Sequence, residues 1–304
     1  MWLIVRNIIV LGVVGLFAQM IDGSLGMAYG VTSSSLLLAT GIAPAAASAA
    51  VHLSEVGTTL VSGAAHWKFG NVDWRVVGIM AVPGGVFAFL GATWLSSIPG
   101  DDAKPWVSLL LLSLGVYVIY RFLRLGGRRP TFRGSVKAPF LVPLAAVAGA
   151  MDAIGGGGWG PVGTTSLLAS GRLEPRKVVG SIDTAEFVVA VGASLGFLLA
   201  LGSSGINLAW AGALLAGGVL AAPVAAYLVR HMPARVLGTA AGGLIIITNA
   251  KTVLESSWVG LEKDSTTVWS IVGLMAVAWI SLIITAVQAE RISRRDTEPV
   301  ISKA

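Results

Sequence analysis

The sequence predicts an all-α polytopic membrane protein. It is read as two inverted repeats, each a broken re-entrant helical hairpin followed by three transmembrane helices, with one extra transmembrane helix at the C-terminus. Three observations carry this. The chain of 304 residues is 55% hydrophobic and only 12% charged, where a soluble domain would carry about 25% charge. Apolar runs around Val107–Tyr120, Ala209–Val229 and Val268–Val287 are long enough to cross a hydrocarbon core about 30 Å thick. They do not alternate as the strands of a membrane barrel would. Third, residues 22–41, DGSLGMAYGVTSSSLLLATG, align without a gap on residues 152–171, DAIGGGGWGPVGTTSLLASG. The pairs include Asp22 with Asp152, Gly26 with Gly156, Tyr29 with Trp159 and Gly30 with Gly160. Further along, Glu55 meets Glu186, Asn71 and Trp74 meet Asn207 and Trp210, and Gly84 meets Gly218. Internal repeats of this size are common in secondary transporters.

The elements follow in order. Residues 1–125 form the first repeat: a broken hairpin over about 3–41, then spans near 44–66, 74–97 and 105–123. Residues 126–137 are a basic cytoplasmic loop, since the stretch RFLRLGGRRPTFRGSVK from 121 to 137 holds six basic residues and no acid. Residues 138–254 are the second repeat, a broken hairpin and spans near 176–201, 206–229 and 234–254. Residues 255–289 carry the extra helix, near 267–288. The tail 290–304 is charged, short and expected to be disordered and cytoplasmic. The positive-inside rule closes only if segment 138–171 enters and returns on one side, which also makes the halves inverted. Lys68, Arg75, Arg172 and Arg176 then lie inside, and Asp101, Asp102, Glu262 and Asp264 outside. The expected location is the cell (inner or plasma) membrane, multi-pass.

The net charge of +6 is accounted for by these basic loops, so no nucleic acid is expected. The chain has no cysteine, which excludes disulfides and thiol chemistry. No Gly-Lys-Ser/Thr follows the glycines, so no nucleotide loop is expected. No nucleophile–base constellation suggests an enzyme. No cofactor is expected. The expected partners are a small anionic substrate and the lipid bilayer, with a homo-oligomer left open.

The two breaks are the candidate site. Lipid tolerates no unpaired backbone, so a break at membrane depth must be buried or line a wet cavity. Each break is followed by a restarting helix whose first N–H groups carry the positive end of the dipole, a place for a small anion. The candidate substrate-binding residues are Gly23, Ser24, Gly26, Tyr29, Gly30, Ser33 and Ser34 in the first half. In the second they are Gly155, Gly156, Gly157, Gly158, Trp159, Gly160 and Thr164. The same glycine spacing also fits close helix packing. Asp22 and Asp152, just before the breaks, either cap the restarting helices or relay protons. His52 with Glu55, and Asp183 with Glu186, stand three apart on one helix face. They are the further candidates for proton coupling, or else structural pairs. Three metal ligands on one helix face are absent, so no metal site is expected.

The breaks DGSLGMAYG and DAIGGGGWGP, the runs SSS and GTTS behind them, and the GNVDW and INLAW loops resemble the TauE/SafE family of membrane transporters, often called sulfite exporters. The resemblance covers roughly residues 8–254. It implies transport, by alternating access, of small and mostly sulfur-containing anions such as sulfite, sulfoacetate or related organosulfonates, with export as the direction. The first break departs from the glycine run, with Ser24, Leu25, Met27 and Ala28 where the second half is mostly glycine. The residues by themselves also admit an anion channel or a carrier of a different small anion.

Overall fold

The computed structural model describes residues 2–25, 27–125, 136–231 and 233–297. Among them there is no strand. The helices are α1 (Trp2–Leu25), α2 (Tyr29–Ala39), α3 (Pro44–Lys68), α4 (Trp74–Ser96), α5 (Gly100–Leu125) and α6 (Ala138–Gly155). A π-helical turn (Trp159–Thr164) leads into α7 (Thr165–Ala169). The chain continues with α8 (Pro175–Gly205), α9 (Leu208–His231), α10 (Ala234–Leu254) and α11 (Thr266–Thr297).

Local chemistry sets many of these ends. Proline occupies the first turn of α3, α6 and α8, where its missing N–H costs nothing. Asp73 caps α4, its Oδ1 accepting from Arg75 N at 3.0 Å and Val76 N at 3.2 Å. Helix α5 starts five residues earlier than expected. Asp101 and Asp102 fall in its first turn, where negative charge suits the helix dipole. The expected disorder of the tail is corrected in part: α11 continues to Thr297. Its polar end, with Arg291, Arg294 and Arg295, keeps the helical hydrogen bonds that an isolated charged tail would lose to water. The basic loop residues 126–135 and the last seven residues lie outside the described set.

Among the described residues six helices are long and apolar enough to cross a membrane: Trp74–Ser96, Gly100–Leu123, Ala138–Gly155, Arg176–Ser203, Arg235–Leu254 and Thr266–Ile292. Large apolar side chains face outward along them, among them Val82, Val86 and Leu90 of α4, Leu195 and Leu199 of α8, and Leu274 and Val277 of α11. In water such a surface would aggregate; in lipid it is the solvated face. Trp67, Trp74, Trp94, Trp106 and Trp258 are exposed at helix ends, as in the aromatic belts of membrane proteins. Helix α3 is the polar exception. It buries Ser48, His52, Ser54, Glu55 and Thr59 against its neighbours.

The packing crosses between the two halves of the chain. α1 lies along α9, α6 along α4, α4 also along α8, α5 against α10, and α3 against α8. The seams are lined by glycine: a side chain on Gly15 would overlap the backbone of Leu214, one on Gly217 the backbone of Gly12, and one on Gly149 the backbone of Gly84. In a bilayer helices gain little by hiding apolar surface from one another, so this close backbone approach is what holds them.

Candidate functional site

Both apolar segments break and turn. Helix α1 ends at Leu25, Ala28 takes a left-handed conformation (φ 102°), and α2 starts at Tyr29. Helix α6 ends at Gly155, Gly156 is left-handed (φ 69°), and the chain restarts at Trp159. The second segment folds back on itself. A Cβ on Gly158 would strike the Ala148 carbonyl and the Asp152 amide, and one on Gly163 would lie 3.8 Å from Ala148 Cβ. The restart is π-helical: Gly163 N donates to Gly158 O, five residues back, at 3.2 Å. Pro161, with no N–H of its own, sits in this turn. The Thr165 hydroxyl closes it on the Pro161 carbonyl.

The breaks of the two halves meet. A side chain on Gly30 would overlap the Gly156 carbonyl, and Glu55 Oε1 would be 3.0 Å away. One on Gly160 would lie 3.0 Å from Met27 Cβ and 3.4 Å from Ala28 N. The aromatic residue behind each break docks on the other half. Trp159 is fully buried against Gly84 of α4, its Nε1 donating to Ile182 O at 2.9 Å. Tyr29 lies beside Gly218 of α9, its hydroxyl donating to Leu214 O at 3.3 Å and sharing a hydrogen bond with Ser54 at 3.2 Å. The two contacts are equivalent under the sequence alignment, which pairs Tyr29 with Trp159 and Gly84 with Gly218.

The expected site residues are therefore distributed as follows. Gly155, Gly156, Gly157 and Gly158 are buried and packed: Gly155 near Leu110 and Leu111, Gly157 against Val31 and Leu114. Trp159, Tyr29, Ser33, Ser34 and Thr164 are buried. Among the described residues the hydroxyls of Thr32, Ser33 and Ser34 on α2 find no hydrogen-bond partner. Asn249 of α10, which sequence reasoning passed over, donates to Ser35 Oγ at 2.8 Å while its own Oδ1 stays unpartnered. Gly26 lies outside the described residues, and of Gly23 and Ser24 only the helical backbone is described.

Both aspartates cap the restarts. Asp152 Oδ1 accepts from Gly158 N and Trp159 N, each at 3.0 Å, and Asp22 Oδ1 accepts from Tyr29 N at 3.1 Å. The amides read from the sequence as an anion site thus hold the protein's own carboxylates in this conformation. Asp152 has a second partner. Its Oδ2 lies 3.3 Å from His52 Nε2, and Glu55 Oε2 lies 3.9 Å from the same nitrogen. His52 Nδ1 lies 2.9 Å from Ser48 O, and the Ser48 hydroxyl donates to Ala153 O at 2.6 Å. All three side chains of the triad are buried. The sequence paired His52 with Glu55 on α3; the third member comes from α6, 100 residues away. The other carboxyls complete the constellation. Asp183 is in electrostatic range of Asp22, and Glu186 of Glu55, Asp152, Asp183 and Asp22. Two carboxyls, Asp152 and Glu55, face the imidazole, and three more carboxyls lie in electrostatic range of that pair or of one another.

A cavity of about 550 Å³ opens at one end of the bundle. It is bounded by the end of α2 at Thr40 and Gly41, by Asp101 and Lys104 of α5, by Lys251 of α10 and by Glu255 just after it. Lys251 bridges Glu255 at 2.8 Å and Asp264 at 2.9 Å, with Trp269 below its ammonium.

Comparison with known proteins places this arrangement. The chain is 48% identical over 282 residues, 92% of each chain, to a Bacillus subtilis (strain 168) protein named "Probable membrane transporter protein YtnM". No solved structure is significantly similar. The family described as "Sulfite exporter TauE/SafE" matches residues 11–252, a stretch that contains both breaks and all six ionisable residues around them. The chain belongs to the TauE/SafE sulfite exporter family of membrane transporters.

Proposed function

We propose that this protein is a secondary transporter that exports a small sulfur-containing anion, sulfite or an organosulfonate, by alternating access. It is not an enzyme. The observation that carries this reading is the meeting of the two helix breaks inside the bundle, beside three buried hydroxyls with no partner. A buried hydroxyl without a hydrogen bond costs about 1–3 kcal/mol. A bound oxyanion accepting from Thr32, Ser33 or Ser34 recovers that cost. The helix amides now held by Asp22 and Asp152 are a second set of donors, open to substrate when the aspartates let go.

The carboxyls around the site supply the coupling. Five acids and an anionic substrate repel one another in a medium of low dielectric. Substrate can therefore enter only together with a cation, and the six ionisable residues Asp22, His52, Glu55, Asp152, Asp183 and Glu186 are where it is taken up. Inverted halves fit this scheme, and the exchanged contacts of Tyr29 with Gly218 and Trp159 with Gly84 support them. Both expected outside loops, at Asp101 and at Lys263, border the cavity at one end of the bundle. This supports placing both loops on one face; that face is proposed to be the outer one, with the C-terminus cytoplasmic.

The test is flux in proteoliposomes with radiolabelled sulfite, sulfate and sulfoacetate, with and without an imposed proton gradient. Saturable flux of one sulfur oxyanion, lost in Glu186→Gln, is expected. No flux of any of them would remove the substrate class. Large uncoupled currents would replace the carrier with an anion channel.

A further inference from the structure

We propose that His52, Glu55 and Asp152 form a binding site for one divalent transition-metal ion at the crossing of the two hairpins. The first argument is the histidine tautomer. Nδ1 has the Ser48 carbonyl at 2.9 Å, and a carbonyl only accepts. Nδ1 must therefore carry a proton, and the neutral ring presents a lone pair at Nε2. That lone pair faces two carboxylate oxygens, Asp152 Oδ2 and Glu55 Oε2. With the ring neutral, three acceptors converge on one point, and a positive ion between them satisfies all three. An imidazole oriented by a backbone carbonyl at its other nitrogen is the usual support of a metal-ligating histidine.

The second argument is spacing. A charge-assisted N–H···O bond is about 2.7–2.9 Å long. The separations here are 3.3 and 3.9 Å, and all three ligand atoms lie within 4.8 Å of one another. Ligands about 2.0–2.2 Å from a tetrahedral metal stand roughly 3.3–3.6 Å apart. The nearer pair already matches that edge, and a small rotation of the Glu55 side chain brings in the third. The third argument is satisfaction. Glu55 Oε2 is buried and has no hydrogen-bond partner, whereas Asp152 Oδ1 is fully used by its two amides, leaving Oδ2 for the ion. One nitrogen and two carboxylate oxygens suit Zn²⁺, Mn²⁺, Fe²⁺ or Co²⁺.

A three-ligand site keeps at least one coordination position open. Building on the anion-carrier reading above, that position is where an oxyanion substrate would meet a positive charge among the buried acids. The metal is then part of the site, and the charge problem of the carboxyl cluster is solved locally.

The experiment uses the full-length protein purified in detergent, stripped with chelator and titrated with Co²⁺. The readouts are visible ligand-field absorption and metal content after desalting, with Zn²⁺ added as competitor. About one equivalent of Co²⁺ with absorption typical of low coordination number is expected, displaced by Zn²⁺. His52→Gln and Asp152→Asn should each weaken binding at least tenfold; Asp152→Asn keeps the acceptor that caps the restart, so it is expected to stay folded. Lys104→Ala, at the distant cavity, should bind as the parent does. Absence of saturable binding to monodisperse protein would overturn the proposal, leaving a shared proton to hold the triad together. So would binding that survives both triad substitutions. Flux in chelator-stripped and metal-loaded vesicles separates the two readings. Metal binding without sulfur-anion flux removes the substrate reading and leaves the metal site standing. Flux without metal binding does the reverse.

Discussion

Replacing Gly156 by alanine should be among the most damaging small changes available in this chain. Two independent costs add there. Gly156 has φ 69°, and a left-handed conformation costs an L-residue about 1–2 kcal/mol. The new methyl group would also lie 2.5 Å from Ser34 Oγ and 2.7 Å from the Gly30 carbonyl oxygen. Overpacking of this kind costs about 1–3 kcal/mol. The sum is about 2–5 kcal/mol. Gly41→Ala isolates the first cost: φ there is 92°, and nothing lies within 4 Å of the added carbon, so about 1–2 kcal/mol is expected. Gly30→Ala isolates the second, because Gly30 is helical and meets the Gly156 backbone. Unfolding of purified protein in detergent, followed by circular dichroism, ranks the variants. The double variant Gly30→Ala/Gly156→Ala should cost less than the sum of the singles, since one relaxation serves both. If Gly156→Ala is no less stable than Gly41→Ala, the hairpins do not cross at these glycines and the site built on that crossing falls.

Other outcomes follow from single contacts. Asp152→Ala strands the amides of Gly158 and Trp159 and should lose about 1–3 kcal/mol, whereas Asp152→Asn should unfold near the parent; equal losses would show that the cap is not the structural role of the residue. Because the parent has no cysteine, single cysteines report topology cleanly: one at Arg172 should react with a membrane-impermeant thiol reagent only from the cytoplasmic side, and one at Asp101 or Asp264 only from the other. Lys251 beside Asp264 holds that exposed carboxyl below its ordinary range. The pair therefore ties the loop before α11 above the usual aspartate range, and the tie is lost as pH falls through the lowered value. Protection of residues 256–265 against hydrogen exchange, taken relative to the intrinsic rate at each pH, should fall at acid pH and in high salt, and Lys251→Ala should remove the dependence.

Apolar length and the internal repeat were enough to find the helices. α3, α4, α10 and α11 begin within a residue of where the apolar runs begin, because lipid demands uninterrupted hydrogen-bonded segments. The alignment of Asp22 with Asp152 was enough to find both breaks, and the structure gives the two residues the same capping contact. Two things were out of reach. The π-helical restart at Trp159 depends on where Pro161 and the Thr165 hydroxyl fall once the turn is made, and no residue pattern reports that. The triad was half visible: spacing joined His52 to Glu55, but Asp152 reaches them only because α6 docks across the chain on α3 and α4. Contacts between helices are set by which faces meet, and a single sequence marks faces without naming their partners.

The glycine seams have a mechanical consequence. α1 is zipped to α9 and α6 to α4, so each opening helix belongs physically to the opposite half of the chain. The sequence halves are interlocked, and rocking one against the other would tear open both seams at once. On the proposed alternating-access reading, the moving bodies would be cut along other lines, each taking helices from both halves. The polar pair α3 and α8, which carries His52, Glu55, Asp183 and Glu186, is the surface along which such bodies would slide.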